Sequence, residues 1–182
     1  EPRSAADWTV EVVDSALVPI SELESDVFTI PLGTGLFVDI VRDMNDDPVL
    51  TYYDRLNGDL KLARVDTENG GFTIDTLDAE GDVGWYPSVV VDEANVVHVS
   101  YVDTFNQDLL YINSDTRELE LVDDGYRIVG TTEEGHPLPE FHFVGDDSAI
   151  VATDDGLYIA YQDATTHELL VAARNDAGVW AH

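Results

Sequence analysis

Apolar positions in this chain come in short runs of four to six residues, and acidic or glycine-containing turns separate the runs. Residues 38–41, 89–91 and 149–152 are apolar except for Asp39, and each run precedes an acidic turn at 43–47, 92–95 or 154–156. A tyrosine-bearing run follows each turn, and these three runs align with one another as TYYDRLNGDL (51–60), SYVDTFNQDL (100–109) and AYQDATTHEL (160–169). Tyr52, Tyr101 and Tyr161 share one position, Asp54, Asp103 and Asp163 a second, and Leu60, Leu109 and Leu169 a third. Asp59, Asp108 and Glu168 close the same segments, and Asn57 matches Asn106. Apolar runs resume at 60–63, 109–112 and 169–173, and a fourth run follows at 72–77 and, more weakly, at 118–122. Strand-length runs rich in β-branched and aromatic residues, bounded by Asp, Asn and Gly, predict strands and tight turns. No segment sustains a helical period, and the prolines fall in turns or at strand starts.

Four strands per unit, recurring after 49 and then 60 residues, predict an all-β chain of four-stranded antiparallel blades, that is, a β-propeller. The predicted blades are 36–78, 86–123 and 148–182, with 1–14 as the outer strand of a preceding blade. The segment WTVEVVD (8–14) aligns with FTIDTLD (72–78), and VWAH (179–182) aligns with the start of the same strand. Three blades are fewer than the four to eight that usually close a ring, and open blades leave strand edges unpaired. The ring is therefore expected to be completed by a second polypeptide, a second copy, or the remainder of a longer or cleaved chain. A partner chain or remainder is favoured over a homodimer. Residues 15–35 and 124–143 lengthen two of the three connections between blades, and insertions on one face of a rigid scaffold are where binding and catalysis concentrate.

The stretch from Tyr86 to Tyr111 (YPSVVVD, then HVSYVD, then NQDLLY) resembles the blade repeat of secreted bacterial propellers, a family distantly similar to the sialidase-type, Asp-box propellers. The resemblance spans roughly residues 36–174 and implies the blade architecture. The Asp-box itself is absent, with 92–95 as a degenerate counterpart. The arginines do not recur at matching blade positions, so sialidase activity is not carried over.

Charge changes the picture next. The 182 residues include 38 Asp and Glu against 8 Lys and Arg, a formal net charge of −30. Such a surface opposes nucleic acid, whose binding requires Lys and Arg contacts to phosphate. No apolar run approaches the ~18–20 residues of a membrane span. The absence of cysteine removes disulfides, thiolate metal sites and cysteine nucleophiles. An acidic, Lys-poor surface fits a secreted or cell-surface protein working in salt, with no export signal visible at the N-terminus. The alternative is an acidic domain that binds calcium.

Two sets of side chains are candidates for chemistry. His136, Glu140 and His142, with Glu133 and Glu134, gather His and carboxylate ligands in the second insertion, suited to a divalent transition metal, with Pro137 and Pro139 stiffening the segment. The competing reading is a solvated acidic loop. Trp85 and Tyr86 sit in the short connection entering an inner strand, where an aromatic ring stacks on a sugar or packs in the core. The repeated Asp54, Asp103 and Asp163 read as a carboxylate ring able to take calcium or as turn caps, and recurrence in each blade favours caps. His98 reads as a core histidine bonded to a neighbouring carbonyl, His167 as a hairpin tip and His182 as a frayed end. Together these features point to a binding or assembly module for a glycan or protein partner in a multi-chain complex. The alternative is a metal-dependent propeller hydrolase or lyase that uses the 133–142 loop on polysaccharide or peptide.

Overall fold

The structure is a computed structural model that describes residues 9–15, 33–175 and 177–182. The described residues contain strands and turns and no helix. Three four-stranded antiparallel sheets follow one another in chain order. Blade 1 comprises β1 (Leu36–Arg42), β2 (Pro48–Asp54), β3 (Asp59–Val65) and β4 (Phe72–Asp78). Blade 2 comprises β5 (Val83–Val91), β6 (Val97–Asp103), β7 (Asp108–Asn113) and β8 (Leu119–Asp123). A hairpin, β9 (Tyr126–Thr131) and β10 (Pro137–Phe141), then leaves the blades. Blade 3 comprises β11 (Val144–Thr153), β12 (Gly156–Asp163), β13 (Glu168–Arg174) and the short β14 (Trp180–Ala181). Each sheet is a simple meander in which every strand pairs with its sequence neighbours. The blade architecture read from the repeats is therefore the observed one. Blades 2 and 3 begin earlier than expected, at Val83 and Val144, because each inner strand continues through a bulge.

The same turn builds the middle hairpin of every blade. The carboxylates of Asp54, Asp103 and Asp163 each accept backbone N–H groups two residues on, from Leu56, Phe105 and Thr165. Asn57 and Asn106 donate their side-chain amides to Asp54 and Asp103. The chain then turns through positive φ at Gly58, Gln107 and His167, whose N–H groups return to the carbonyls of Asp54, Asp103 and Asp163. The recurring aspartates are therefore turn caps, and His167 is the exposed hairpin tip the sequence predicts.

Residues directly opposite in an antiparallel pair share a face, so the registers assign each side chain to one face of its blade. We call the face toward the next blade leading and the face toward the preceding blade trailing. The leading face of blade 1 (Val49, Leu60, Leu62) packs on the trailing face of blade 2 (Val99, Tyr101, Leu110, Ile112). The leading face of blade 2 (Leu109, Tyr111) packs on Ile150, Ile159, Tyr161 and Ala172 of blade 3. The core thus lies between blades. Full burial of each Leu, Val or Ile contributes roughly 1.5–3 kcal/mol. Strand β6, with neighbours on both faces, is buried along its whole length.

One polar contact repeats across every boundary. The Tyr101 hydroxyl donates to Asp78 at the end of β4, and the Tyr161 hydroxyl to Asp123 at the end of β8, each at 2.7 Å. Tyr52 makes the same bond, 2.7 Å, to Asp14. Asp14 therefore stands where the outer strand of a preceding blade ends, as the alignment of 8–14 with 72–78 implies. Residues 9–15, however, do not form the expected strand, and among the described residues no strand pairs with them. Residues 1–8, and 16–32 of the first insertion, lie outside the described residues.

Replacing Tyr101 by Phe should remove one hydrogen bond to a charged acceptor and leave the packing intact. Urea unfolding is expected to show a loss of about 1.5–3 kcal/mol with an unchanged denaturant slope.

Candidate functional site at the inner strands

The innermost strands of the three blades share a local distortion. Pairing shifts register between Leu36 and Asp39, between Trp85 and Ser88, and between Asp146 and Ala149. At the centre of each bulge a non-glycine residue has positive φ: Phe37 at 52°, Tyr86 at 46° and Asp147 at 50°. Such conformations cost of order 1–3 kcal/mol for a non-glycine residue and collect at functional positions. A glycine with positive φ stands two residues before each, at Gly35, Gly84 and Gly145. The three bulges turn side chains into one open depression of about 430 Å³, lined by Phe37, Val38, Asp39, Tyr86, Pro87, Ser88, Asp147 and Ser148.

Part of this lining ties the blades together. Asp39 Oδ2 accepts from the Ser88 hydroxyl at 3.0 Å and from the Val89 N–H at 2.9 Å. The Ser88 oxygen in turn accepts the Ile150 N–H at 3.3 Å. Ser148 donates to the Tyr86 carbonyl at 3.0 Å and lies 2.9 Å from the Ser100 hydroxyl. The aromatic side chains form the other part. Phe37 and Tyr86 have ring centroids 4.7 Å apart, and Trp85 lies behind them, 5.3 Å from Phe37 and 5.7 Å from Tyr53. Burial and the neighbouring Asp146 and Asp147 raise the Tyr86 phenol above its ordinary range, so its hydroxyl stays a donor. Burial, and then Asp147, raise the carboxyl of Asp146. The lining offers aromatic rings, hydroxyls and carboxylates and no cationic side chain. That combination suits a neutral polyhydroxylated ligand and repels an anionic one.

Of the residues singled out in the sequence, Tyr86 lines this depression and Trp85 supports it from β5 itself, the strand having absorbed the expected connection. Phe37 and the bulges went unread. The signal for them was present in the recurring Gly35, Gly84 and Gly145.

The proposed metal set is not assembled. His136 is exposed in the turn between β9 and β10, whereas His142 is buried just after β10. An extended strand of five residues separates them, roughly 20 Å of chain. Glu140 Oε2 lies 3.5 Å from His142 Nε2 and Glu134 lies beside His136. Among the described residues no group of three or more His, Asp or Glu side chains is arranged to hold a metal ion. The prolines sit in β10 and hold the two histidines apart instead of converging them. His142 anchors the hairpin: its Nδ1 is 2.6 Å from Asp163 Oδ2, and its N–H donates to the Gly125 carbonyl at 2.9 Å. Arg127, on β9, clasps Asp123 at 2.9 and 2.6 Å. Burial opposes the ionised form of Asp123, but Arg127, Tyr161 and the Gly125 N–H outweigh it and hold its carboxyl down to about 2. His98 is a core residue, as expected, but its partners are the Tyr111 hydroxyl at 2.7 Å and Asp92 at 3.2 Å, not a carbonyl. His182 Nδ1 lies 3.0 Å from the Tyr161 hydroxyl and so has a partner where a frayed end was expected.

No protein-family model matches the chain, and no curated protein matches it. Among solved structures it is similar to a novel alpha-L-arabinofuranosidase from Clostridium thermocellum ATCC 27405. The identity is 12%, the match covers 79% of this chain and 70% of that one, and the TM-score is 0.33. A likeness of that size carries no argument about activity. Among the described residues no helix is long and apolar enough to cross a membrane.

The His142–Asp163 pair gives the hairpin a pH dependence. The hydrogen bond that His142 donates to the Asp163 carboxylate raises the imidazole above its ordinary value, against the opposing effect of burial. Because the folded pKa exceeds the unfolded one, the stabilisation is complete below about pH 6.5 and disappears as pH climbs through the raised value. Calorimetry from about pH 6 to about pH 9 should show a falling melting temperature, and His142→Gln should flatten that fall.

Proposed function

We propose that the protein is a secreted or cell-surface propeller module that binds a neutral glycan in the depression formed by the three inner-strand bulges. The observation that carries this reading is the pairing of the Phe37 and Tyr86 rings with hydroxyl and carboxylate groups at strained backbone positions contributed by all three blades. A sugar ring presents apolar C–H faces to aromatic rings and equatorial hydroxyls to acceptors, and both partners are present here. The scaffold that holds them is rigid, since Asp39, Ser88 and Ser148 are already engaged between blades. Binding in this reading needs no metal and no covalent step.

The test is a glycan array followed by calorimetric titration of any neutral oligosaccharide that binds. Tyr86→Ala and Phe37→Ala should each weaken binding at least about tenfold, the loss of about 1.4 kcal/mol of stacking. Phe105→Ala, at an exposed hairpin tip, should leave it unchanged. Absence of binding to every neutral glycan by the unaltered protein would overturn the reading.

The acidic surface supports the extracellular, saline part of the proposal. Raising NaCl from about 0.1 M to about 1 M shortens the screening length from ~10 Å to ~3 Å. The melting temperature is expected to rise over that range, and a flat or falling response refutes the saline assignment.

A further inference from the structure

The two interfaces inside the chain use one contact in common. A leucine at the start of the third strand of one blade meets the positive-φ glycine of the next blade's inner strand. A Cβ on Gly84 would lie 2.8 Å from Leu60 Cα, and one on Gly145 would lie 3.2 Å from Leu109 Cβ. The leucine is a knob, and the missing Cβ makes its socket. Leu60 and Leu109 are both 0% exposed.

The third leucine and the third glycine have no such partner among the described residues. Leu169 aligns with Leu60 and Leu109 and is 78% exposed. Gly35 aligns with Gly84 and Gly145, has φ +86°, and has nothing within 4 Å of its Cβ position. The surfaces around them follow suit. On the leading face of blade 3, Val171 is 53% exposed, whereas its counterparts Leu62 and Tyr111 are each 2% exposed. The registers place Ala149, Val151, Tyr158, Ala160, Gln162 and Ala173 on this face with them, all uncharged, and the acidic Asp146 pairs with Gln162 beyond the bulge at its edge. On the trailing face of blade 1, Ile40 is 62% exposed, whereas its counterparts Val89 and Ile150 are 6% and 9% exposed.

We propose that the leading face of blade 3 docks on the trailing face of blade 1 of a second copy, with Leu169 seated against Gly35 as Leu60 is against Gly84. The sequence favours a partner chain or the remainder of a longer chain; the occupant we infer instead is a second copy, because the described residues carry both unmatched halves of a contact the chain already makes twice. The outer edge fits as well. Strand β14 pairs only Ala173 and Arg174 of β13. Asp14, bonded to Tyr52 of its own chain, would stand opposite Leu169 of the other copy, as Asp78 stands opposite Leu60. Residues 12–14 thereby continue the line of β14. The contact is head-to-tail, and two copies that make it twice close into six blades, within the four to eight that propellers use.

The test is sedimentation equilibrium of the unaltered chain in about 1 M NaCl, where repulsion between the two anionic copies is screened. A concentration-dependent doubling of mass is expected. Leu169→Asp and Ile40→Asp, both at exposed positions, should each give a monomer with an unchanged circular dichroism spectrum and melting temperature. An equimolar mixture of these two variants retains one intact face of each kind and should recover a dimer. A protein that stays monomeric at all concentrations overturns the proposal. So does an association that survives Ile40→Asp, or a mixture of the two variants that stays monomeric.

Discussion

The bond from a second-strand tyrosine to the terminal aspartate of the preceding blade is the interaction on which the rest of the structure depends. It is made at Tyr52–Asp14, Tyr101–Asp78 and Tyr161–Asp123. The Tyr101 ring is fully buried in the interface between blades 1 and 2, so its hydroxyl needs a partner there. Desolvation, and then the carboxylate itself, push the Tyr101 phenol far above its ordinary range, which keeps it the donor. The geometry sets the offset between one sheet and the next, and through it the alignment of the inner-strand bulges. Blades without private cores would otherwise be free to slide, since apolar packing is non-directional.

Glycine plays the complementary part. Gly84 and Gly145 let a leucine of the preceding blade approach the backbone more closely than any Cβ would allow. The same residues open the chain into positive φ just before Tyr86 and Asp147. Close blade packing and the strained lining of the depression thus share a cause. A substitution at either glycine would disturb interface and site together.

The carboxylates that reach the interfaces between blades are matched there by hydrogen-bond donors. Aspartates cap the hairpin turns and receive the tyrosine hydroxyls, and three of the arginines reach from one blade to the next. Arg174 clasps Glu120 through two bonds of 2.8 and 2.5 Å, Arg64 reaches Ser114 at 2.8 Å, and Arg117 pairs with Asp75. Lys61, the single lysine, sits 2.8 Å from Asp59. The exposed Arg117–Asp75 pair contributes little, typically under about 1 kcal/mol for a surface pair. The placement of Arg64, Arg117 and Arg174 between blades opposes repulsion where two acidic sheets approach, whereas Lys61 neutralises Asp59 within blade 1.

The blades, their order and their turns are legible in the amino-acid sequence alone. Strand alternation and the capping chemistry of Asp54, Asp103 and Asp163 act over two to four residues, and such short-range constraints recur visibly in a repeat. The sequence also marked Tyr86 and Trp85, because two aromatics at a strand entrance stand out locally. Which aspartate answers each tyrosine emerges from the packing of the sheets, since those partners lie 38, 23 and 38 residues apart. The tertiary structure alone brought Phe37 beside Tyr86 and kept His136 from His142. Neighbouring side chains can read as one ligand set in sequence, yet a strand of five extended residues carries its two ends far apart. Conversely, residues from separate blades become neighbours only once the sheets pack face to face, and the repeating leucine–glycine contact dictates how they do so.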